Sequence, residues 1–259
     1  MPFFPTHREL LDVAVEAALE AGRITLQYFQ TSSFETEIKA DNSPVTIADR
    51  RAEQRLIEVV HRHYPAHAIL GEESGETSGS EPVTWIVDPI DGTKTFICGV
   101  PFYGVLIGVE IAGSIDVGVA NFPALGEIYY AARGLGAYWN GRRIRVSQTG
   151  SLADAVMLTT DMQRVDRDPE KHDAHQRLIA ATKMYRTWGD CYGHMLVASG
   201  RAEIMLDPKM SVWDAAALKP IVEEAGGIFT DWSGLPTARG GSAISTNAAL
   251  RGAVQELLR

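Results

Sequence analysis

Trp85-Ile86-Val87-Asp88-Pro89-Ile90-Asp91-Gly92-Thr93 is an apolar strand that runs into two acids three residues apart, restrained by a proline and released by a glycine. A strand end is a rigid mount for side chains. With Pro89 limiting the backbone, Asp88, Asp91 and the intervening Ile90 carbonyl can converge on a hard cation such as Mg²⁺, which prefers oxygen ligands. Gly92 and Thr93 then present N–H groups at the start of a short helix, a favourable seat for phosphate.

Two further acidic segments flank this one. Gly71-Glu72-Glu73-Ser74 follows a short strand at Ile69-Leu70, and Trp213-Asp214 heads a helix predicted from Val212 to Glu224. Upstream, Thr6 and Glu9 make a capping-box signature, with apolar residues at helical spacing to about Phe29. A second helix is predicted from Ala48 to Tyr64, closed by Pro65, with Asp49 in its first turn.

Downstream, short β-type runs at Val105 to Val109, Ile115 to Ala120 and Ile128 to Ala132 predict an antiparallel sheet. Asn140-Gly141, between Ala137-Tyr138-Trp139 and Ile144-Arg145-Val146, reads as a hairpin turn. The first half ends near Thr149-Gly150-Ser151. From there strands (155–158, 185–188, 203–206, 228–230, 243–245) alternate with helices (172–184, 190–199, 212–224, 248–258). Such alternation predicts layered sheets and helices, an α/β arrangement. With no repeat and no low-complexity linker, residues 1–150 and 151–259 read as halves of one packed unit.

The 259 residues carry 24 basic and 33 acidic side chains, a formal net charge of −9. The absence of a long Lys/Arg run argues against a nucleic-acid partner, since phosphate backbones are held mainly by basic groups. Bound cations would still let such a chain hold a small anion. The longest apolar stretch, Val100 to Val109, contains Pro101, Tyr103 and Gly104, so it does not read as a membrane span. The start Met1-Pro2-Phe3-Phe4-Pro5 lacks the pattern of a signal peptide, and the chain reads as cytoplasmic. Cys98 and Cys191 read as free buried thiols. His61, His63 and His67, and likewise His172 and His175, read as solvated. Arg142, Arg143 and Arg145 read as a solvated hairpin patch, and Met205 and Met210 as packing residues.

The ordered set Gly71-Glu72-Glu73, Asp88-Pro89-Ile90-Asp91-Gly92-Thr93 and Trp213-Asp214 followed by Glu224-Ala225-Gly226-Gly227 resembles the inositol monophosphatase family of metal-dependent, lithium-sensitive phosphatases. The likeness spans nearly the whole chain. It implies an αβαβα sandwich of the inositol monophosphatase and fructose-1,6-bisphosphatase type, a homodimer, and about two or three Mg²⁺ ions at the site. It also implies that Glu72, Asp88, the Ile90 carbonyl, Asp91 and Asp214 are metal ligands. Asp49 would hydrogen-bond Thr93, and that pair would work with Glu72 to orient and deprotonate a water. Each acid alone would pass as a helix cap or a loop acid.

The same resemblance places the alcohol pocket at Asp91, Gly92, Thr93, Gly189, Asp190, Cys191, Asp207 and Asp214. Where inositol phosphatases carry a small neutral Gly-x-Ala segment, this chain has Gly189-Asp190-Cys191, and Asp207 stands where they usually have Glu. Lys94-Thr95 departs from their usual x-Asn. Two acids facing an alcohol suit a cation better than a neutral polyol, and these segments look like the branch of the family that acts on L-histidinol phosphate. Inositol-1-phosphate, other polyol phosphates and 3′-phosphonucleotides are the rival substrates. A non-catalytic metal-binding regulatory protein is the alternative of a different class, although every expected acid and Thr93 is present.

Overall fold

The structure, a computed structural model, describes residues 5–31, 36–39 and 44–259. Residues 1–4, most of the stretch read for a signal peptide, lie outside that range. In chain order the first part comprises α1 (His7–Leu26), β1 (Thr36–Ile38), β2 (Pro44–Thr46), α2 (Ile47–His63), β3 (Ala68–Gly71), β4 (Gly75–Thr77), β5 (Val83–Asp91) and α3 (Thr93–Ile97). It continues through β6 (Gly104–Ile111), β7 (Ser114–Phe122), β8 (Glu127–Ala132), β9 (Gly136–Trp139) and β10 (Arg142–Arg143). The second part comprises β11 (Val156–Thr159), α4 (Met162–Asp166), α5 (Pro169–Ala181), β12 (Met184–Arg186), α6 (Asp190–Ala198) and β13 (Ile204–Asp207), then α7 (Val212–Ala216), α8 (Leu218–Glu224), β14 (Gly227–Thr230), β15 (Ala243–Asn247) and α9 (Arg251–Leu257).

Three hydrophobic clusters define the layers. Leu10, Ala14 and Ala17 of α1 and Leu56 and Val60 of α2 pack on Trp85, Val105, Ile107, Val109 and Val119 of the large sheet, ordered β10-β9-β8-β7-β6-β5-β3-β4. Its other face meets α6, α7 and α8 through Leu106, Ala120, Met195, Ala215 and Ile221. Beyond these helices lies the second sheet, ordered β12-β11-β13-β15-β14, and Leu178 of α5 and Val254 of α9 cover its far face. The order is α, β, α, β, α, the layered α/β sandwich.

Covering β5, β6 and β7 on both faces explains their nearly continuous apolar runs, because a strand buried on two sides has no polar side to alternate with. Burying each large side chain there contributes about 1.5–3 kcal/mol. The middle helices come very close to the sheet. A Cβ on Gly108 would lie 2.8 Å from the Ala216 backbone carbon, and one on Gly118 would collide with the Ala217 carbonyl. Pro220 cannot return a hydrogen bond to Ala216, so the helix predicted from Val212 to Glu224 divides into α7 and α8.

Several local expectations hold and others change. Thr6 and Glu9 form the capping box, with Thr6 N donating to Glu9 Oε2 at 2.7 Å. The first helix ends at Leu26 rather than Phe29. The hairpin at Asn140-Gly141 forms, both residues having positive φ, but its second strand is Arg142–Arg143 instead of 144–146. Within the large sheet β3 pairs with β5 in parallel, so the sheet is not wholly antiparallel. Cys191 is buried as expected, whereas Cys98 is exposed. No described helix is long and apolar enough to cross a membrane.

The histidines also need correction. His67 is buried, accepting from Trp85 Nε1 at 2.9 Å while its Nε2 lies 3.3 Å from Glu81, and it stacks on Tyr64. His175 is buried on the inner face of α5 against Tyr185. Helix-end position misled in the first case, because the turn after α2 folds back over β5.

His194 of α6 is buried too, with Nδ1 2.7 Å from Ser245 Oγ. Burial pushes its pKa down from 6.5 to about 3. The unfolded chain therefore binds a proton that the folded chain refuses, and this contribution is present above pH 6.5 and is lost as pH falls toward 3. Between those limits the loss approaches about 1.4 kcal/mol per pH unit. Urea unfolding from pH 7 to pH 5 should show wild type losing more stability than His194→Gln, by close to one proton in the slope. Parallel slopes would contradict a neutral His194 in the folded state.

Candidate active site

In a regular strand Asp88 and Asp91 would point to opposite faces, since side chains alternate with period two. The pairing of β5 with β6 runs from Asp88↔Leu106 to Asp91↔Gly104, so β5 carries one extra residue at Pro89-Ile90. This bulge turns both acids to one side. Pro89 suits it because a proline has no N–H to give the ladder. Asp88 Oδ1 accepts from Ile90 N at 2.9 Å, which locks the turn.

Asp214 arrives from α7, where it is the third residue of a capping box and accepts from Ser211 N at 2.7 Å. Carboxylate oxygens of Asp88, Asp91 and Asp214 lie within 4.8 Å of one another. Burial, aided by the charges of Glu72, Asp91 and Asp214, pushes the Asp88 carboxyl well above the usual range. Burial and the charges of Asp190 and Asp214 do the same to Asp91. Asp214 is pushed up to about 6, chiefly by burial. An array of acids, Asp88 buried and Asp91 and Asp214 half-buried, that raise one another's pKa lacks positive charge, and its donors are all hard oxygens. Both features fit a divalent cation.

Glu72 lines the same cleft from the loop after β3, but its Oε1 accepts from Lys39 Nζ at 2.8 Å, so it stands beside the three-acid array. Asp49 is buried at the third position of the α2 capping box, and its Oδ2 accepts from Thr46 N at 2.8 Å and Thr46 Oγ1 at 2.6 Å. The expected Asp49–Thr93 bond is not made. Thr93 Oγ1 donates to the Ile90 carbonyl at 3.1 Å, and Asp49 Oδ1 is buried with no partner among the described residues. The capping interaction holds the Asp49 carboxylate toward its own helix terminus. Burial pushes Asp49 up to about 6.

The cleft, about 840 Å³, is lined by Gly92, Thr93, Gly189, Asp190, Asp207 and Asp214 among others. Cys191 N donates to Asp91 Oδ2 at 2.8 Å, tying α6 to the acid array. Burial and the Asp91 charge push the Cys191 thiol up, which keeps it protonated and unsuited to act as a nucleophile. Asp190 is not the N-cap of α6: Gly189 holds that position and Asp190 has φ +52°. Asp207 ends β13 fully inside, and burial with the Asp190 and Asp91 charges pushes it well above its ordinary value.

Some residues at the site escaped the sequence reading. Glu53 is buried one turn after Asp49, and its carboxylate accepts from Glu73 N at 3.0 Å and Ser74 N at 2.7 Å, clamping the loop that carries Glu72. Its four-residue offset from Asp49 was the available signal. Thr95 carried a signal only as a departure from the family's usual Asn, and Lys39 and Thr160 carried none, since only the tertiary fold brings them to the acids.

The layered fold and this acidic cleft define the class, a phosphoric monoester hydrolase. The chain belongs to the inositol monophosphatase family, whose sequence model matches residues 6–258. It is 45% identical over 241 residues to the histidinol-phosphatase of Chlorobaculum parvum, covering 93% of each chain. Among solved structures it resembles the extragenic suppressor protein suhB of Bartonella henselae, with TM-score 0.91, 31% identity and coverage of 96% and 98%. It also resembles the inositol monophosphatase of Anabaena, with TM-score 0.84, 31% identity and coverage of 97% and 95%.

Proposed function

We propose that this chain is a Mg²⁺-dependent phosphatase that hydrolyses L-histidinol phosphate. The observation that carries the substrate choice is the acidic wall formed by Asp190 and Asp207 beside Asp91. Their charges act on one another, so an ammonium or imidazolium in the alcohol relieves a repulsion that a neutral polyol would leave in place. The relative named histidinol-phosphatase supports the same choice.

Glu72, Asp88, Asp91, Asp214 and the Ile90 carbonyl would hold Mg²⁺. When bound, Mg²⁺ offsets the charge of the phosphate and lowers the pKa of a coordinated water. The chain's own groups do the rest. Gly92 and Thr93 hold phosphate oxygens with backbone N–H groups, as oxyanion donors do. Glu72 takes the proton of the attacking water. Asp49, through its free Oδ1, is the acceptor open to the Thr93 hydroxyl once that hydroxyl leaves the Ile90 carbonyl. Asp190 and Asp207 orient the alcohol beside Gly189, while Cys191, fully buried and not among the cleft-lining residues, acts only through its backbone N–H on Asp91.

The reading carries a cytoplasmic homodimer with a small phosphate ester as partner, and no nucleic acid or membrane. The rival is inositol-1-phosphate, favoured by the likeness to an inositol monophosphatase. Phosphate release with and without EDTA tests the Mg²⁺ requirement and rules on the non-catalytic alternative. Asp190→Asn distinguishes the substrates, because losing a charge-assisted contact should raise KM for histidinol phosphate about tenfold. An equal loss on inositol-1-phosphate would count against the cationic substrate.

A further inference from the structure

Asp190 is held in an unusual way. A non-glycine residue with positive φ is uncommon, and Asp190 has φ +52° with no capping bond to account for it. Its two oxygens each take one hydroxyl. Thr160 Oγ1, just past the end of β11, donates to Oδ1 at 2.9 Å, and Thr95 Oγ1 of α3 donates to Oδ2 at 3.1 Å. Both donors line the cleft, one from each half of the chain.

The neighbouring glycines fit the same arrangement. A Cβ on Gly189 would lie 2.7 Å from Thr160 Oγ1 and 2.8 Å from Thr160 Cα, so only glycine lets Thr160 come this close. A Cβ on Gly92, itself at φ +81°, would lie 3.2 Å from Asp190 Oδ2. An unfavourable backbone conformation persists where its surroundings fix it from several directions, and here two hydroxyls and two glycines do so.

We propose that Thr95 and Thr160 are positioning residues that clamp the Asp190 carboxylate toward the cleft and thereby set the preference for a cationic alcohol. The inference rests on the histidinol-phosphate reading. A carboxylate offers about four acceptor positions. The threonines use one on each oxygen, leaving the others for an ammonium or imidazolium N–H of the substrate. Without the clamp, Asp190 would keep its charge but lose its fixed direction, and discrimination would fall more than turnover.

The test is steady-state kinetics of the full chain in saturating Mg²⁺ on L-histidinol phosphate and inositol-1-phosphate, for wild type, Thr95→Val, Thr160→Val and the double variant. Each valine replaces a hydroxyl by a methyl of similar size. We expect each to raise KM for histidinol phosphate about five- to tenfold, with a much smaller effect on kcat and on inositol-1-phosphate. Thr95→Ser and Thr160→Ser, which keep the hydroxyl, should recover most of the loss. Should a valine variant not fold, the alanine variant is read the same way. Equal losses on both substrates, no loss, or serine variants as impaired as valine would overturn the clamp while leaving the substrate reading in place. A wild-type enzyme that prefers inositol-1-phosphate would overturn both.

Discussion

Asp88→Asn should lower phosphate release at saturating Mg²⁺ on the order of a thousandfold, about 4 kcal/mol of transition-state stabilisation, while the metal-free protein melts no lower than wild type. The two halves of this expectation share one cause. Asp88 is buried beside Asp91, Asp214 and Glu72, whose charges push its carboxyl well above the usual range. Without a cation, an ionised Asp88 is a stability cost, and asparagine removes that cost at nearly constant shape. The amide oxygen can still accept from Ile90 N, so the β5 bulge survives. With Mg²⁺, the same substitution removes a charged ligand. Activity assays and thermal melts in EDTA check the pair. Near-normal turnover would refute the ligand role, and a much lower metal-free melting temperature would show that Asp88 serves the fold instead.

The second large effect belongs to Glu53. Both of its oxygens accept from backbone N–H groups, Oε2 from Glu73 and Oε1 from Ser74. Gly71 leaves room for it, since a Cβ there would lie 2.8 Å from the Glu53 carboxylate. In Glu53→Gln one acceptor becomes an NH₂ donor facing an N–H, so one bond is replaced by a repulsion. The Glu72 loop shifts, and residues that orient metal ligands typically contribute about 10- to 100-fold in metal affinity or activity. The expected result is a rise of that size in the Mg²⁺ concentration for half-maximal activity, with turnover largely restored at high Mg²⁺. An unchanged Mg²⁺ dependence would reduce Glu53 to a buried structural acid.

The layered architecture was readable because strands and helices differ in period and the second half alternates them. The site was readable as a set of acids, yet their convergence was not. Spacing of three along a strand sends Asp88 and Asp91 to opposite faces, and only the register between β5 and β6 reveals the extra residue that brings them together. The Asp49–Thr93 bond, expected from the resemblance, is not made in this structure. Each residue has a nearer partner, Thr46 in a capping box and the Ile90 carbonyl, and local geometry prevails. Asp190 reads from sequence as an acid of the alcohol pocket, but the donors that hold it, Thr95 and Thr160, lie 95 and 30 residues away. His67 and His175 were misread because helix position alone does not tell which ends the sheets cover.

The central claim is that an acidic cleft selects a cationic phosphate ester. It is tested most directly by letting L-histidinol phosphate and inositol-1-phosphate compete for the wild-type enzyme in one Mg²⁺ solution and measuring the ratio of their kcat/KM values. The expected ratio is at least about tenfold in favour of histidinol phosphate, or about 1.4 kcal/mol of transition-state binding. A ratio near unity, or one favouring inositol-1-phosphate, would contradict it.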